Sequence, residues 1–370
     1  MKQHTSWVEV DKSAIVHNLK EIKRKINPDR ILAVIKANAY GHGAVEIARL
    51  LLKNEINYLG VALAEEALEL RKNGIAAPII VLSPVIKEML LDLIKANCTL
   101  TVSSLNQLID INAVAKKLDK SANVHLNIDT GMNRYGLDPK DVKEIIDELN
   151  GMNNVVLEGI FTHFAQAENS KVTNEQFDIF IDKVQLIKNN YKDDLIIHCA
   201  NSIATLKYQK MRLDMVRIGS LIFGNSKISS NLDLKRSWCL KSKIVHIKKV
   251  NEGQGISYGA EYIAKKNMKI AIVPLGFYQG ISMWPNHTSV SLKTATKNVL
   301  KELLKLRRVD RVIEKAYFGE KELHYLGKTG MEHIALDITD CESISVGDIV
   351  VLRTLQTAVN QSVPIVYKEV

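Results

Sequence analysis

The chain alternates between short apolar runs and longer segments in which apolar residues recur every three to four positions. Between about residues 30 and 224 the runs are rich in β-branched residues and are followed by stretches with helical spacing. Continuous apolar runs of this length are typical of strands that are buried on both faces of a parallel sheet. The eight runs are Ile31–Ile35, Tyr58–Ala62, Pro78–Ser83, Thr99–Val102, Val124–Ile128, Val155–Phe161, Leu195–His198 and Met215–Ile218.

The segments between these runs predict amphipathic helices. The clearest are Ala64–Lys72, Leu105–Leu118, Asp141–Leu149 and Glu175–Lys188. Eight strand-then-helix units in roughly 200 residues predict an α/β fold, a (β/α)8 barrel of the TIM type. An open doubly wound sheet remains the alternative, because the pattern alone does not determine the order of the strands.

The remainder of the chain predicts a second, mainly β domain. Asp11–Lys25 has the spacing of a helix that precedes the barrel, with Asp11 or Ser13 as its cap. Trp7–Val10 alternates like a strand. The polar residues 226–237 suggest a linker.

We expect the barrel to cover residues 8–228 and the β domain to cover 229–370 with residues 1–7. Strands of the β domain are predicted at Lys243–Ile247, Lys269–Pro274, Ile334–Ile338, Asp348–Leu352 and Val363–Tyr367.

Composition and charge narrow the class of protein only slightly. The 370 residues are 46% hydrophobic and 25% charged, which is typical of a globular protein. The net charge of +9 allows anionic partners but does not choose among them. The four scattered cysteines argue against a disulfide framework and a cysteine zinc site, and we expect no metal. No apolar stretch suits a signal sequence or a membrane helix, so we expect a cytoplasmic protein without a membrane partner.

Polar residues collect at the ends of the predicted barrel strands, where barrel enzymes carry their active sites. Lys36 directly follows the first run, and Leu82 lies near the end of the third. A lysine that closes an apolar strand can serve as a nucleophile or form a Schiff base, although it can equally extend from the rim into solvent. The other polar residues at these ends are Asn127, Asp129, Arg134, His163, His198, Asn201, Ser202, Arg217, Gly219 and Ser220.

These residue types together describe a site for pyridoxal 5′-phosphate. Glycine and serine after the last two strands are typical of a barrel phosphate site, although they also suit a tight turn. Tyr40 could add a hydroxyl donor to the phosphate. Arg217 ends an apolar run, so its charge needs a buried partner. His163 alone would more often be a core histidine, but here it supplies a flat ring beside a cation.

The same residues resemble the alanine racemase family. The segment Ala33–Gly43 is similar to the pyridoxal-lysine motif of that family, and the resemblance extends through the barrel and more weakly beyond residue 276. The other matching segments are Asp129–Arg134, Glu158–Ala165, Ala200–Ser202, Asp214–Arg217, Ser257–Gly259, Pro274–Gly276 and the region around Met331.

The resemblance implies a homodimer in which the barrel of one subunit and the β domain of the other share each active site. It implies that Lys36 carries the cofactor and acts as one catalytic base, while Tyr258 of the partner subunit is the base for the opposite face. It assigns Arg134 and Met331 to the amino-acid substrate. The cofactor contacts that it implies are Lys36, Tyr40, Leu82, His163, Asn201, Ser202, Arg217, Gly219 and Ser220.

Several positions depart from the family pattern. A lysine, often carbamylated, is frequent where this chain has Asn127, so a chloride ion or the Asn127 amide alone is expected to position Arg134. Phe277, Gln279 and Glu332 also differ from the usual residues around the substrate entrance. The predicted activity is therefore amino-acid racemisation with alanine as the default substrate and serine or a larger amino acid as the alternative.

Two other classes of protein compete with the racemase interpretation. Non-catalytic pyridoxal-phosphate carriers resemble the barrel alone, whereas this chain also has the segments around Tyr258 and Met331. A pyridoxal decarboxylase shares the two-domain plan but not these lysine and arginine motifs. The basic stretch Thr296–Lys315 predicts a helical insertion in the β domain. It carries no interleaved aromatic residues, so we expect a solvated face and no nucleic-acid partner.

Overall fold

A computed structural model describes residues 4–28, 30–191, 194–225, 232–281 and 315–369. The chain divides into two compact units. One unit is built from Asp11–Ser237, and the other combines the residues before Asp11 with Trp238–Lys368. Strand β1 (Ser6–Asp11) pairs with residues 238–242 and thereby joins the second unit. The predicted strand Trp7–Val10 lies within β1, so that prediction is confirmed.

The first unit contains eight parallel strands in the order β8-β7-β6-β5-β4-β3-β2-β9. Two backbone hydrogen bonds link the ends of this sheet, from Asp214 N to Ile197 O (3.2 Å) and from Arg217 N to Ala200 O (2.9 Å). The sheet is therefore a nearly closed barrel, and the doubly wound alternative is wrong. Its strands are β2 (Ile31–Val34), β3 (Tyr58–Val61), β4 (Ile79–Val81), β5 (Thr99–Val102), β6 (Ala122–Asn127), β7 (Val155–Phe161), β8 (Ile196–His198) and β9 (Val216–Ile218).

Helices alternate with these strands. In α1 the Asp11 carboxylate accepts a hydrogen bond from Ala14 N and caps the helix, while Ile15, Leu19 and Ile22 are buried on one face. Burial of each such side chain contributes about 1.5–3 kcal/mol. The helical segments are α1 (Lys12–Ile26), α2 (Lys36–Gly41), α3 (Ala44–Lys53), α4 (Ala64–Lys72), α5 (Lys87–Lys95), α6 (Leu105–Lys117), α7 (Val142–Asn150), α8 (Ser170–Asn190) and α9 (Ser202–Lys207).

The second unit consists mainly of antiparallel strands. Its described strands form a six-stranded sheet (β16-β15-β19-β10-β1-β20), a four-stranded sheet (β11-β14-β18-β17) and the pair β12-β13. The strands are β10 (Trp238–Lys243), β11 (His246–Val250), β12 (Gly255–Ile256), β13 (Tyr262–Ile263), β14 (Met268–Val273), β15 (Lys315–Phe318), β16 (Lys321–Leu323), β17 (Tyr325–Leu326), β18 (Ile334–Asp337), β19 (Ile349–Arg353) and β20 (Ile365–Lys368).

One predicted strand in this unit, Lys243–Ile247, is wrong. The chain leaves the six-stranded sheet after Lys243 and enters the four-stranded sheet at His246. Ile244 N still bonds to Asp348 O, whereas Val245 N bonds to Ile272 O in the other sheet. The apolar residues Ile244, Val245 and Ile247 follow one another across this change of partner without a turn residue, so the sequence pattern does not reveal it.

Two sequence features fall partly outside the described residues. The basic stretch Thr296–Lys315 lies outside them except for Lys315, which begins β15. Of the predicted linker, residues 232–237 are described. The Asn18 side chain accepts a hydrogen bond from Lys235 N (2.7 Å) and donates one to Lys235 O (2.8 Å). Among the described residues, no helix has the length and apolar character needed to cross a membrane.

Candidate active site

A cavity of about 530 Å³ opens at the carboxyl ends of the barrel strands. Ten of the twelve predicted site residues line it. The other two, Tyr258 and Met331, belong to the second unit. The predicted residues in the cavity wall are Lys36, Tyr40, Leu82, Arg134, His163, Asn201, Ser202, Arg217, Gly219 and Ser220.

Lys36 opens an unusual backbone turn. The four residues from Ala37 to Tyr40 have φ between 51° and 53°, so α2 is a left-handed turn rather than an ordinary helix. This conformation costs roughly 1–2 kcal/mol for each residue that has a Cβ atom. Such strain persists only where the surroundings impose it, and it often marks a functional site. The turn places both Lys36 and Tyr40 in the cavity wall.

Glu66 stabilises this turn from the start of α4. One of its carboxylate oxygens accepts a hydrogen bond from Ala37 N (2.5 Å), and the other accepts from Ala62 N (2.8 Å) and Leu63 N (3.0 Å). Sequence reasoning missed Glu66. The available signal was an acidic residue in the first turn of a helix, where it commonly bonds to free backbone N–H groups.

Tyr40, Ser202 and Gly219 form a group of hydrogen-bond donors at one end of the cavity. Burial raises the pKa of Tyr40 to about 12, and the nearby Glu66 charge adds to the effect, so the phenol keeps its proton. Gly219 N lies 3.3 Å from Ser202 Oγ. The Asn201 side chain accepts hydrogen bonds from the first turn of α9 and thereby orients Ser202, which begins that helix.

Arg217 is buried at the base of the cavity, with only 4% of its surface exposed. Its Nη atoms donate to the carbonyl oxygens of Thr162, His198 and Cys199 at 2.7–3.1 Å. They also donate to the Nδ1 atoms of His198 (3.0 Å) and His163 (3.3 Å). Burial lowers the pKa of Arg217 to about 10, so the guanidinium remains charged at neutral pH. None of these bonds to described residues uses Nε, which remains a donor for a ligand.

His163 is an uncharged ring beside these cations. Burial lowers its pKa to about 3, and the charges of Arg217, Arg134 and Lys36 lower it further. The neutral ring accepts a hydrogen bond at Nδ1 from Arg217. A flat, neutral ring in the cavity wall can pack against an aromatic ligand.

A loop after β6 presents Arg134. Asp129 accepts hydrogen bonds from the backbone N–H groups of Gly131, Met132 and Asn133, at 2.9–3.1 Å. The Arg134 guanidinium lies over the Tyr135 ring, 4.4 Å from its centre.

Tyr135 connects this loop to Asn127. The buried Asn127 amide donates to Tyr135 O at 3.2 Å, and the Tyr135 hydroxyl lies 3.4 Å from Ser83 Oγ. Sequence reasoning missed Tyr135 and Ser83. Both lie beside residues that it did identify, Arg134 and Leu82.

Tyr258 and Met331 are neighbours on the surface of the second unit. Their exposed fractions are 72% and 60%, which is unusual for large, largely apolar side chains. The Tyr258 ring lies close to Gly330, since a Cβ atom at Gly330 would be 3.5 Å from it. Ser257, with a φ of 64°, anchors the segment by donating to Lys328 O at 2.5 Å.

Comparison with protein families covers both units. Residues 10–227 match the model of the alanine racemase N-terminal domain, and residues 238–368 match that of the C-terminal domain. The chain belongs to the alanine racemase family.

Curated alanine racemases are similar over nearly the whole chain. The protein from Methanococcus maripaludis is 36% identical over 358 residues, which cover 95% of this chain and 89% of that protein. The alanine racemase of Clostridium tetani is 36% identical over 355 residues, covering 94% and 85% of the two chains.

Solved alanine racemases share the fold. The enzyme of Clostridium difficile 630 has a TM-score of 0.88 and 33% identity, and the match covers 100% of this chain and 97% of that one. A Bacillus anthracis alanine racemase with bound L-Ala-P has a TM-score of 0.86 and 28% identity, with 100% and 96% coverage.

Alanine racemases use pyridoxal 5′-phosphate, and the cavity of this family member fits that group. Tyr40, Ser202 and Gly219 offer neutral donors to a phosphate, and the missing side chain of Gly219 leaves room beside the Tyr40 hydroxyl. Arg217 retains one N–H donor for an aromatic ring nitrogen. The lining also includes an amine, that of Lys36, which is the group that binds the pyridoxal aldehyde.

Proposed function

We propose that this alanine racemase family member interconverts L- and D-alanine with pyridoxal 5′-phosphate held in the barrel cavity. The observation that carries the proposal is the meeting of Lys36, a cluster of neutral donors and the buried Arg217 in one cavity. A pyridoxal ring, once bound, withdraws electrons from the amino acid and so acidifies the hydrogen on its α-carbon.

The residues in the cavity wall would hold the cofactor at several points. Tyr40, Ser202, Gly219 and Ser220 bind the phosphate, with Asn201 orienting Ser202. His163 and Leu82 pack against the ring, and Lys36 anchors the cofactor covalently. The presence of all these residues in the wall of one cavity supports these assignments.

Arg217 controls the ring nitrogen. A guanidinium can donate hydrogen bonds but has no acceptor, and at neutral pH it keeps its own proton. Arg217 would therefore give the ring nitrogen of a bound cofactor a hydrogen bond rather than a proton. This weakens electron withdrawal and limits side reactions such as transamination.

Racemisation needs a proton donor and acceptor on each face of the α-carbon. Lys36 would supply one face, because its amine, once displaced from the cofactor by the amine of the substrate, could remove or return the α-proton. Tyr258 of the partner subunit supplies the other face. The exposure of Tyr258 and Met331 in the second unit supports this arrangement, because a homodimer would bring the two side chains to the partner's barrel cavity.

Arg134 would bind the substrate carboxylate. Two ways of positioning it were left open by the sequence, a bound chloride ion and the Asn127 amide. The contacts favour the amide, because Asn127 holds the Tyr135 carbonyl and Arg134 stacks on the Tyr135 ring. Chloride binding beside Asn127 and Arg134 remains the alternative to be tested.

The alternatives to alanine racemisation are a racemase for serine or a larger amino acid and a non-catalytic carrier of pyridoxal phosphate. Phe277, Gln279 and Glu332 depart from the family pattern, and Phe277 and Tyr278 are exposed beside the Met331 segment. These positions favour a test of several substrates. A cytoplasmic location stays a prediction from the sequence.

The deciding experiment incubates the protein and pyridoxal phosphate with a panel of L-amino acids, followed by chiral chromatography. We expect D-alanine to form faster than any other D-amino acid, and none to form with a Lys36→Ala variant. If D-serine or a larger D-amino acid forms faster, that amino acid would replace alanine as the assigned substrate. If the protein binds the cofactor but forms no D-amino acid from any substrate, the non-catalytic carrier would become the favoured function.

A further inference from the structure

Four side chains form a continuous row inside the barrel, from the base of the cavity to the start of β5. Arg217 Nη1 lies 3.0 Å from His198 Nδ1, and His198 Nε2 lies 2.9 Å from His125 Nδ1. His125 Nε2 in turn faces Glu158 Oε2 at 3.5 Å, an ion-pair contact and not a hydrogen bond, since this nitrogen has no hydrogen-bond partner among the described residues. Both histidines are fully buried, whereas the Glu158 side chain is 27% exposed.

The chemistry of arginine determines the direction of this row. Arginine only donates, so His198 must accept at Nδ1 and carry its proton on Nε2. That proton can only be donated to His125 Nδ1, which places the second proton on His125 Nε2, facing the Glu158 carboxylate. Burial and the Arg217 charge hold the pKa of His198 well below its ordinary value, which keeps this ring neutral. The N–H groups of the row are therefore oriented towards Glu158, whose carboxylate lies opposite the last of them as a counter-charge and not as a hydrogen-bond acceptor.

An irregularity in the sheet brings Glu158 into this position. Val124 pairs with Leu157 but His125 pairs with Gly159, so Glu158 is an extra residue in β7 at a β-bulge. Bulges redirect individual side chains and often lie next to active sites. Thr99 holds the carboxylate from β5 by donating from its hydroxyl to Glu158 Oε2 at 2.9 Å.

Gly159 makes room for the His125 ring. A Cβ atom at Gly159 would lie 2.6 Å from His125 Cε1 and 2.5 Å from Ile196 O. On the other side, the Phe161 ring stacks on His198 with 5.0 Å between ring centres. The two imidazoles therefore have little freedom to turn away from the row.

The carboxylate at the far end of the row is a counter-charge for Arg217, which none of its direct partners among the described residues provides. The partners of Arg217 among the described residues are carbonyl oxygens and imidazole nitrogens, none of them charged. A buried guanidinium without a counter-charge is costly, and two hydrogen-bonded imidazoles can pass the influence of a carboxylate to it.

We propose that Glu158 and His125 are positioning residues, which act through His198 to hold Arg217 as a hydrogen-bond donor at the base of the cavity. This inference rests on the proposed function for its effect on racemisation. The arrangement of the protons is independent of any activity.

Neutron diffraction from deuterated crystals of the full chain tests the arrangement directly. We expect one deuterium on Nε2 of His125 and of His198, and none on either Nδ1. A deuterium on His198 Nδ1, or two on either ring at neutral pH, would overturn the proposal. The positions of these deuterium atoms do not depend on whether the protein racemises an amino acid. Failure of this proposal can therefore be distinguished from failure of the proposed function.

Kinetics test the influence on the cavity. Glu158→Gln should lower kcat for alanine roughly tenfold, because it removes the carboxylate charge at the end of the row, while KM and cofactor content stay unchanged. The matched control Glu46→Gln removes a carboxylate on α3 that contacts Lys12 and Arg49, and it should have no effect. An unchanged kcat in Glu158→Gln would refute the positioning role.

A double variant tests whether Glu158 acts through His125. If it does, adding Glu158→Gln to His125→Phe should change kcat by less than about twofold. Independent, multiplying effects of the two substitutions would show that Glu158 acts by another route and would overturn the proposal.

Discussion

The hydroxyl of Tyr40 occupies the space beside Gly219. A Cβ atom at Gly219 would lie 2.5 Å from the Tyr40 hydroxyl oxygen, well inside van der Waals contact. Tyr40 belongs to the left-handed turn after β2, and Gly219 follows β9, the strand next to β2 in the barrel. The absence of a side chain at Gly219 therefore keeps the proposed phosphate site open.

Gly219→Ala should weaken the binding of pyridoxal phosphate. Gly219 does not have a positive φ, so the backbone accepts alanine and the effect comes from displacement of Tyr40. We expect roughly a tenfold loss of affinity in an absorbance titration, equivalent to one supporting hydrogen bond. Gly151→Ala is the control, because its Cβ atom would meet only Glu148 O, at 3.5 Å. Wild-type affinity in Gly219→Ala would contradict this account of the site.

Lys36→Ala should abolish the visible absorbance of the protein-bound cofactor. The substitution removes the only amine in the cavity wall as the described residues define it, and with it the covalent link. Absorbance spectroscopy after gel filtration measures the outcome. Lys72→Ala, at the exposed end of α4, is the control and should keep the wild-type spectrum. An unchanged spectrum in Lys36→Ala would place the anchor elsewhere.

Tyr258→Phe should keep the cofactor but slow racemisation by at least about 10²-fold, the usual contribution of a general base. The substitution removes the hydroxyl group and keeps the aromatic ring. The control is Tyr262→Phe. Tyr262 lies four residues after Tyr258 in the sequence, and it packs against a buried apolar cluster of the second unit. Chiral analysis of alanine turnover measures both. Turnover like that of the wild type in Tyr258→Phe would refute the two-base assignment.

Asn127→Ala should raise KM for alanine roughly tenfold without releasing the cofactor. The Asn127 amide holds the Tyr135 carbonyl, and Tyr135 supports the guanidinium of Arg134, so its loss disorders the proposed carboxylate site. Replacing chloride by a larger anion should leave the wild-type KM unchanged. A KM that depends on chloride would instead favour the bound anion.

Three buried histidines should make the cofactor-free protein less stable in mild acid, and burial holds the pKa of one of them, His198, well below its ordinary value. Burial lowers the pKa of His42 to about 4 and that of His163 to about 3, against an ordinary value of 6.5. Between about pH 6.5 and 4 the unfolded chain therefore binds protons that the folded chain does not. As the pH is lowered through this range, the free energy of unfolding should decrease by up to about 1.4 kcal/mol per pH unit for each histidine.

Urea unfolding at about pH 7 and pH 5 measures this effect. His42→Gln should show a smaller loss of stability between these pH values than the wild type, because one of the three histidines is gone. His246→Gln is the control, since His246 is exposed on β11. Equal losses in His42→Gln and wild type would contradict the burial argument.

The sequence alone determined the eight strands and much of the cavity, whereas closure of the sheet into a barrel became certain only from the structure. Eight apolar runs separated by helical spacing predicted the strands, because burial on both faces requires apolar side chains at every position. Polar residues at the ends of these runs had to converge at one end of a barrel. The places of Lys36, His163, Arg217 and Gly219 in the cavity wall follow from that convergence.

Only the tertiary structure decided how those residues meet. The left-handed turn over Ala37–Tyr40 contains no glycine, and Glu66 imposes it from another helix. The bulge that turns Glu158 towards His125 depends on the register between β6 and β7. The change of sheet at Ile244 depends on which strand the chain meets next. A local pattern records which side chains are buried, whereas these features arise from contacts between segments that are distant in the sequence.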